Sequence, residues 1–315
     1  MKKERVLMVG AGDVAKRLIP RLVARFTVIA LTSSAASAAE LRLLGVLPII
    51  GNLDDRASLK RLSGLATRIF HFAPPPNSGH ADLGDSRTRN LLAILARPAS
   101  RAAAAVPRAL HITYISTTGV YGDCAGARFD ETRTVNPQNP RAHRRVAAEA
   151  LLRQAVARRG KSRAVLQVSI RASILRVPGI YAANRLPLER LQRGTPALCE
   201  ADDVYTNHIH ADDLAHAAWC AQWSGRPGRV YHITDDTELK MGDYFDLVAD
   251  AFGLARPPRI TRAEAPQKIA PPLLSFMSES RRLTNARMKR ELGVQLRYRT
   301  VEAGVAAALA ALLAG

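Results

Sequence analysis

Gly10-Ala11-Gly12-Asp13-Val14-Ala15 is the stretch whose reading decides the fold. It follows the apolar run Val6–Val9 and opens the helical pattern Val14–Ala24, so strand, glycine loop and helix stand in that order. Gly10 permits a tight turn, Gly12 lets backbone N–H groups approach a pyrophosphate, and the small Ala15 lets helix and strand pack closely. Glycine-rich turns are common in α/β loops, but here the flanking elements agree with the loop, and dinucleotide binding outweighs a structural turn. Asp13 and Val14, in the helix's first turn, belong to the same expected site. About 20 residues beyond the last glycine, where a carboxylate would bind the ribose 2′-hydroxyl of NAD, stand Thr32 and Ser33. Neither repels a 2′-phosphate and both can hydrogen-bond one, although no arginine stands beside them. The expected cofactor is NAD(P), with a slight lean to NADP.

Outward from this loop the chain alternates. Thr27–Leu31, Leu47–Ile50, Arg68–Phe72 and Leu110–Ser116 read as strands, while Ala35–Leu44, Arg56–Leu62 and Ser86–Ala96 carry apolar residues at helical spacing. Such alternation predicts right-handed βαβ units, hence an α/β fold with a doubly wound parallel sheet of Rossmann type. Arg141–Arg159 is a further helix, stopped by Gly160 and carrying a Glu149–Arg153 pair four residues apart. Ile170–Val177, Val204–Ile209 and Val230–Ile233 read as strands, and Asp212–Trp223, Asp243–Phe252, Asn285–Leu292 and Thr300–Leu313 as helices. Five prolines between Pro257 and Pro272 keep that segment irregular. The expected division is a dinucleotide-binding domain over 1–178 and a smaller, irregular substrate domain over 179–315, with about 203–233 returning to the sheet.

The 315 residues suffice for a large core, and 47% hydrophobic with 23% charged residues is ordinary for a soluble globular enzyme. The formal charge of +19 is not ordinary. It suits a polyanion partner or an anionic substrate. However, the basic residues are scattered, without a basic tail or an aromatic-interleaved patch, which favours decorated solvent faces over nucleic-acid binding. Cys124, Cys199 and Cys220 are too few and too far apart for a disulfide framework or a cysteine zinc site. Neither Val6–Val9 nor Val305–Leu313 reaches the length of a signal core or of a membrane span of about 20 residues. A cytoplasmic protein without membrane contact is expected, acting on a small molecule, with room for a homodimer.

Tyr114-Ile115-Ser116-Thr117-Thr118-Gly119-Val120-Tyr121-Gly122-Asp123 resembles the active-site strand and loop of the extended short-chain dehydrogenase/reductases, the NAD-dependent epimerase/dehydratase group. Phe72-Ala73-Pro74-Pro75 resembles that family's cofactor-covering loop, and Arg176-Val177-Pro178-Gly179-Ile180-Tyr181 the segment near the nicotinamide, with Ala182 where a glycine is usual. Asn207–Ala215 resembles its strand–helix junction, and Leu283-Thr284-Asn285 with Glu291-Leu292-Gly293 its C-terminal end. The resemblance implies that Thr117 orients the substrate oxygen. It places Asn52 and Leu53 around the adenine, and Ala73, Pro74 and Pro178 along the cofactor. It also implies a Tyr-x-x-x-Lys pair on the following helix, and Glu149, which the family often carries four residues after the Lys, puts Arg145 at the Lys position and Arg141 at the Tyr position.

The two departures are chemically unequal. Arg145 keeps a fixed positive charge and donors for the ribose. Arg141 cannot shuttle a proton near neutral pH, because a guanidinium stays protonated there. Tyr121 and His143 are the local substitutes as acid/base, and Arg141 can instead clamp an anionic substrate group. His208 and His210 share a strand face near Asp212 and Asp213, but a structural junction explains them better than a metal, and no metal is expected. Asp213 suits a helix start, Asp130 and Glu131 suit a solvated loop, and Cys124 is a bystander. Two functions follow: an NAD(P)-binding epimerase/dehydratase-like oxidoreductase on a small carbonyl or hydroxyl substrate, or a non-catalytic NAD(P)-binding module that senses redox state or holds a partner.

Overall fold

β1 (Arg5–Val9) is solvent-free from Val6 to Val9, as a strand must be when helices cover both faces of its sheet. This computed structural model describes residues 3–76, 83–97, 108–157 and 168–313. With β2 (Thr27–Thr32), β3 (Leu47–Ile50), β4 (Arg68–His71), β5 (Arg108–Thr117), β6 (Val168–Val177) and β7 (Val230–His232), β1 forms one seven-stranded parallel sheet in the order β3-β2-β1-β4-β5-β6-β7. The order reverses between β1 and β4, so a crevice opens at the carboxyl ends of these strands. The fold is the α/β, doubly wound Rossmann type that the alternation predicts.

One face of the sheet packs on α1 (Asp13–Val23) and the helix Ala211–Ser224, through Leu18, Leu22, Leu214 and Ala218. The other packs on α3 (Ser86–Leu95) and α4 (Pro140–Ala157), through Leu91, Ile94, Ala148 and Leu152. Arg158, Arg159 and Gly160, the expected end of α4, lie outside the described residues. α2 (Ala35–Leu43) is capped by the Ser34 hydroxyl, which accepts from Ser37 N at 3.2 Å. A separate core joins the helices Leu188–Gln192, Met241–Ala251 and Val301–Leu313 beyond the sheet edge. There Gly304 is essential, because a Cβ would lie 2.4 Å from the Tyr181 ring.

Three expectations are corrected. Arg56–Leu62 is not a helix but a loop ending in the single turn Lys60–Leu62. Asn52 Oδ1 accepts from Asp54 N and Asp55 Oδ1 from Ala57 N, and these local bonds compete with a helical ladder. Val204–Ile209 is two strands with different partners: Tyr205–Thr206 runs antiparallel to Leu239–Lys240, and His208–His210 parallel to Gly179–Tyr181. Asn207 breaks the run, its side chain bonding Leu283 N and Arg281 O. Asp213 does more than suit a helix start. It accepts from Arg297 N and Tyr298 N at 2.8 and 2.9 Å, and so clamps the C-terminal segment to the Ala211–Ser224 helix.

Asp235, just past β7, gives one carboxylate oxygen to Thr237 N at 3.0 Å and leaves the other buried without a partner. Burial pushes this carboxyl up to about 8. A pKa raised by folding contributes stability below the ordinary carboxylate range that is lost as pH rises through about 8. The melting temperature is therefore expected to fall between about pH 5 and about pH 9, and Asp235→Asn to flatten that fall. Thermal melts of both proteins across the interval check this, and parallel slopes would refute it.

Candidate active site

The strand ends at the crevice bring most of the expected site together. Gly10, Gly12, Thr32, Ser33, Asn52, Leu53 and Ala73 line one cavity of about 330 Å³, joined by Ser37 and Arg87. Gly10 (φ 92°) is required there, since a Cβ would lie 2.4 Å from Ala73 N, where the loop after β4 bonds back to Val9 O. In front of Gly12 the space is open, with no atom within 4 Å of where a Cβ would be, and no side chain caps the first turn of α1. Uncapped helix N–H groups beside open ground fit a phosphate group.

Asp13, Val14 and Pro74 stand outside that cavity's lining. Asp13 turns away to Arg17 (3.2 Å) and Arg185 (3.4 Å), joining α1 to the C-terminal part. Val14 is core, and the Pro74 carbonyl accepts from Arg87 Nη1 at 3.3 Å. Arg87, whose fork grips Asp54 at 2.6 and 2.8 Å, was not foreseen because it arrives from α3, far along the chain.

A second cavity of about 500 Å³ is lined by Thr117, Arg141, Arg145 and Pro178 from the sheet side, and by Arg190, Tyr244 and Phe276 among others from the C-terminal side. Thr117 accepts from Gly119 N at 3.2 Å, which holds its hydroxyl at the end of β5. Arg145 spends Nη1 on the Tyr114 hydroxyl (3.0 Å) and the Ile115 carbonyl (2.7 Å), while Nε and Nη2 have no partner among the described residues. Arg141 stacks on Phe276, 4.5 Å from the ring centre. His208 also lines this cavity, its ring 4.3 Å from that of Tyr244, and burial pulls its pKa down to about 4. His210 instead caps the next helix, accepting from Asp212 N at 3.2 Å.

Tyr121, expected as a substitute acid/base, lines neither cavity. It is fully buried away from both cavities, and its hydroxyl lies 2.6 Å from Arg176 Nη1 and from His232 Nε2. Burial pushes the phenol up to about 12 and the imidazole down to about 3. With His232 neutral, the phenol donates to Nε2 and Nδ1–H donates to Thr284 O. The hub of this network is Glu149, wholly buried, which accepts from Ser116 Oγ (2.6 Å), Arg176 (2.7 and 3.1 Å) and Arg153 (2.9 Å). Burial opposes ionisation of Glu149, but the Arg176 bonds hold it below the usual carboxylate range. The sequence reading missed this network; an arginine inside the apolar run Ile174–Val177 is the signal that could have revealed a buried partner. Glu131 corrects the solvated-loop expectation likewise: it is buried against Arg287 (3.3 Å) and accepts from His232 N (2.9 Å).

The sequence profile of the NAD dependent epimerase/dehydratase family matches residues 6–234. The chain belongs to this family. Human dTDP-D-glucose 4,6-dehydratase is 28% identical over 131 residues, 41% of this chain and 36% of that one, so the match spans about a third of this curated relative. Among solved structures, a functionally unknown conserved protein from Silicibacter pomeroyi superposes with a TM-score of 0.77 at 26% identity, covering 98% and 99% of the two chains. A dTDP-glucose 4,6-dehydratase from Streptomyces venezuelae, solved with NAD bound, gives 0.73 at 19% identity over 97% and 96%. Family membership makes the chain an epimerase/dehydratase-type protein with a Rossmann fold. Among the described residues no helix is long and apolar enough to cross a membrane.

Removing one partner of the Glu149–Arg176 pair leaves a buried charge alone. Glu149→Ala is expected to cost roughly 3–5 kcal/mol, and Tyr121→Phe about 1 kcal/mol. Urea unfolding of the two variants checks the ranking; equal losses would show that the pair is not the hub.

Proposed function

We propose that this epimerase/dehydratase-family protein is an NAD(P)-linked oxidoreductase acting on the carbonyl or hydroxyl group of a small molecule. Residues 1–178 bind the dinucleotide and 179–315 shape the substrate site. The observation that carries the reading is Arg145, fixed by two neutral oxygens and presenting its remaining N–H groups at the cavity that Thr117 also lines. A guanidinium so held supplies the permanent charge and ribose donors that a lysine supplies elsewhere in the family.

Gly10, Gly12 and the uncapped first turn of α1 would hold the pyrophosphate of the dinucleotide, and Asn52 and Leu53 its adenine. When bound, its nicotinamide gives or takes a hydride. Thr117 orients the substrate oxygen, and the fixed charges of Arg145 and Arg141 lower the energy of an oxygen becoming negative. Arg141 does not carry the proton, which reaches that oxygen from water through the open cavity mouth. The phosphorylated cofactor is favoured, because no carboxylate lines the smaller cavity among the described residues, whereas Thr32, Ser33, Ser37 and Arg87 do.

Titration with NADH and NADPH, read by nicotinamide fluorescence, is expected to give saturable binding, tighter for NADPH. Arg145→Ala should weaken both at least about tenfold, a loss of about 1.4 kcal/mol. Thr117→Ala should leave binding intact and lower turnover by about 10²-fold or more against a panel of carbonyl compounds. No binding of either cofactor would falsify the proposal. Binding without any turnover would favour the non-catalytic module.

A further inference from the structure

The charges of the larger cavity do not balance. Its charged lining is Arg141, Arg145, Arg185, Arg190 and Arg281 against Glu279 alone. Arg281 holds that carboxylate at 2.7 Å, and Arg185 is answered from outside the cavity by Asp13 at 3.4 Å. Arg145 serves the cofactor in the function proposed above. Arg190 has no part in that function and Arg141 only its field at the reacting oxygen, and both line the same cavity, held in the same way. Each lies flat on an aromatic ring, Arg141 on Phe276 at 4.5 Å and Arg190 on Phe245 at 4.3 Å, with no carboxylate bonded to either among the described residues. Arg190 gives one bond to Pro196 O at 2.6 Å, and its Nε is buried with no partner among the described residues. Burial pulls the Arg190 guanidinium below its ordinary range, whereas Arg141 reaches solvent at the mouth beside Phe276.

A stacked guanidinium is pre-aimed, and its remaining edge fits a carboxylate or phosphate oxygen pair. A buried N–H without a protein acceptor is costly, and an anionic oxygen in the cavity would satisfy it. The rest of the wall is apolar. Ile180, Met241, Tyr244 and Val177 surround the interior, and Leu273 and Phe276 stand half-exposed at the mouth.

We propose that the substrate is an amphiphilic anion, with a carboxylate or phosphate head met by Arg141 and Arg190 and an apolar body against the aliphatic and aromatic wall. This rests on the cavity's reading as the substrate site and narrows it to a chemical class. It also explains an arginine at the position where the family places its tyrosine: the charge is spent on holding substrate rather than on moving a proton.

The probes are hexanoate, hexyl phosphate and neutral hexan-1-ol, titrated calorimetrically into the NADPH-saturated protein at physiological salt. At least one anion is expected to bind tenfold or more tightly than the alcohol, and the tighter of the two names the head group. Arg141→Ala and Arg190→Ala should each weaken it about tenfold, and Arg141→Lys should recover part of the loss. Arg193→Ala, which removes a surface charge paired with Glu189, should change nothing and so separates the cavity from the general positive field. Equal affinity for anions and alcohol, or anion binding unchanged in both alanine variants, would overturn the proposal. NADPH titration of the same variants keeps the two readings apart. Retained cofactor binding with no anion preference defeats this inference alone, and no cofactor binding by the wild type defeats the function on which it rests.

Discussion

The ion pair between Glu149 and Arg176 is the constraint on which the site depends. Glu149 comes from the helix that carries Arg141 and Arg145, and Arg176 from β6, two residues before Pro178, where the strand has ended. Ser116 ties β5 to the same carboxylate, and Tyr121 with His232 extends the network to β7. A buried ion pair adds little net stability over a well-packed apolar replacement, but it tolerates no slippage, because a shift of either element strands a charge in the core. A helix and the ends of three strands are thus held in one register. Thr117, Arg145 and Arg141 inherit their positions from it.

Legibility in the sequence followed the range of the interactions. The glycine loop was readable because its function is local: the turn at Gly10, the open ground at Gly12 and the close packing of Ala15 all lie within one strand–loop–helix unit. The strands β1, β2, β4, β5 and β6 were readable because apolar runs largely buried on both faces leave a plain pattern, whereas the edge strand β3 keeps Leu47 and Ile50 exposed. Arg56–Leu62 misled because aspartate and asparagine side chains bonded the backbone locally and pre-empted a helix. Val204–Ile209 misled because strand propensity says nothing about which partner each half pairs with, and Asn207 answers to residues beyond 280. Tyr121 misled for a different reason. Proximity along the chain to Thr117 suggested shared chemistry, whereas the one-turn helix Thr118–Tyr121 carries the phenol to the far side. Arg87 and Arg190 had no motif at all, since only tertiary convergence sets them at the two cavities.

The net charge of +19 takes on a more particular meaning in the structure. Much of it is not simply solvated. Arg21 and Arg25 lie over Trp219, Arg68 over Trp223, and Arg282 over Tyr205, each within 5.4 Å of the ring centre. Arginine serves this chain as a flat side chain that packs on aromatic faces while keeping its donors available, which lysine does poorly. The same habit reaches into the larger cavity, where it has a consequence that surface stacking lacks. In solvent an unpaired guanidinium is satisfied by water. In a cavity it is satisfied by whatever the cavity binds.

That difference bears on the altered helix. A tyrosine at the position of Arg141 would act through a proton whose affinity the neighbouring charge adjusts. An arginine there has no such proton to move near neutral pH, so its influence is a constant field. A constant positive field favours the negatively charged form of a reacting oxygen, yet it also penalises any neutral ligand that displaces water from the guanidinium without replacing its hydrogen bonds. The two effects agree only for a ligand that brings its own negative charge. In the function proposed, electrostatics would then select the substrate and assist the reaction with the same residue, leaving the proton to solvent at the cavity mouth.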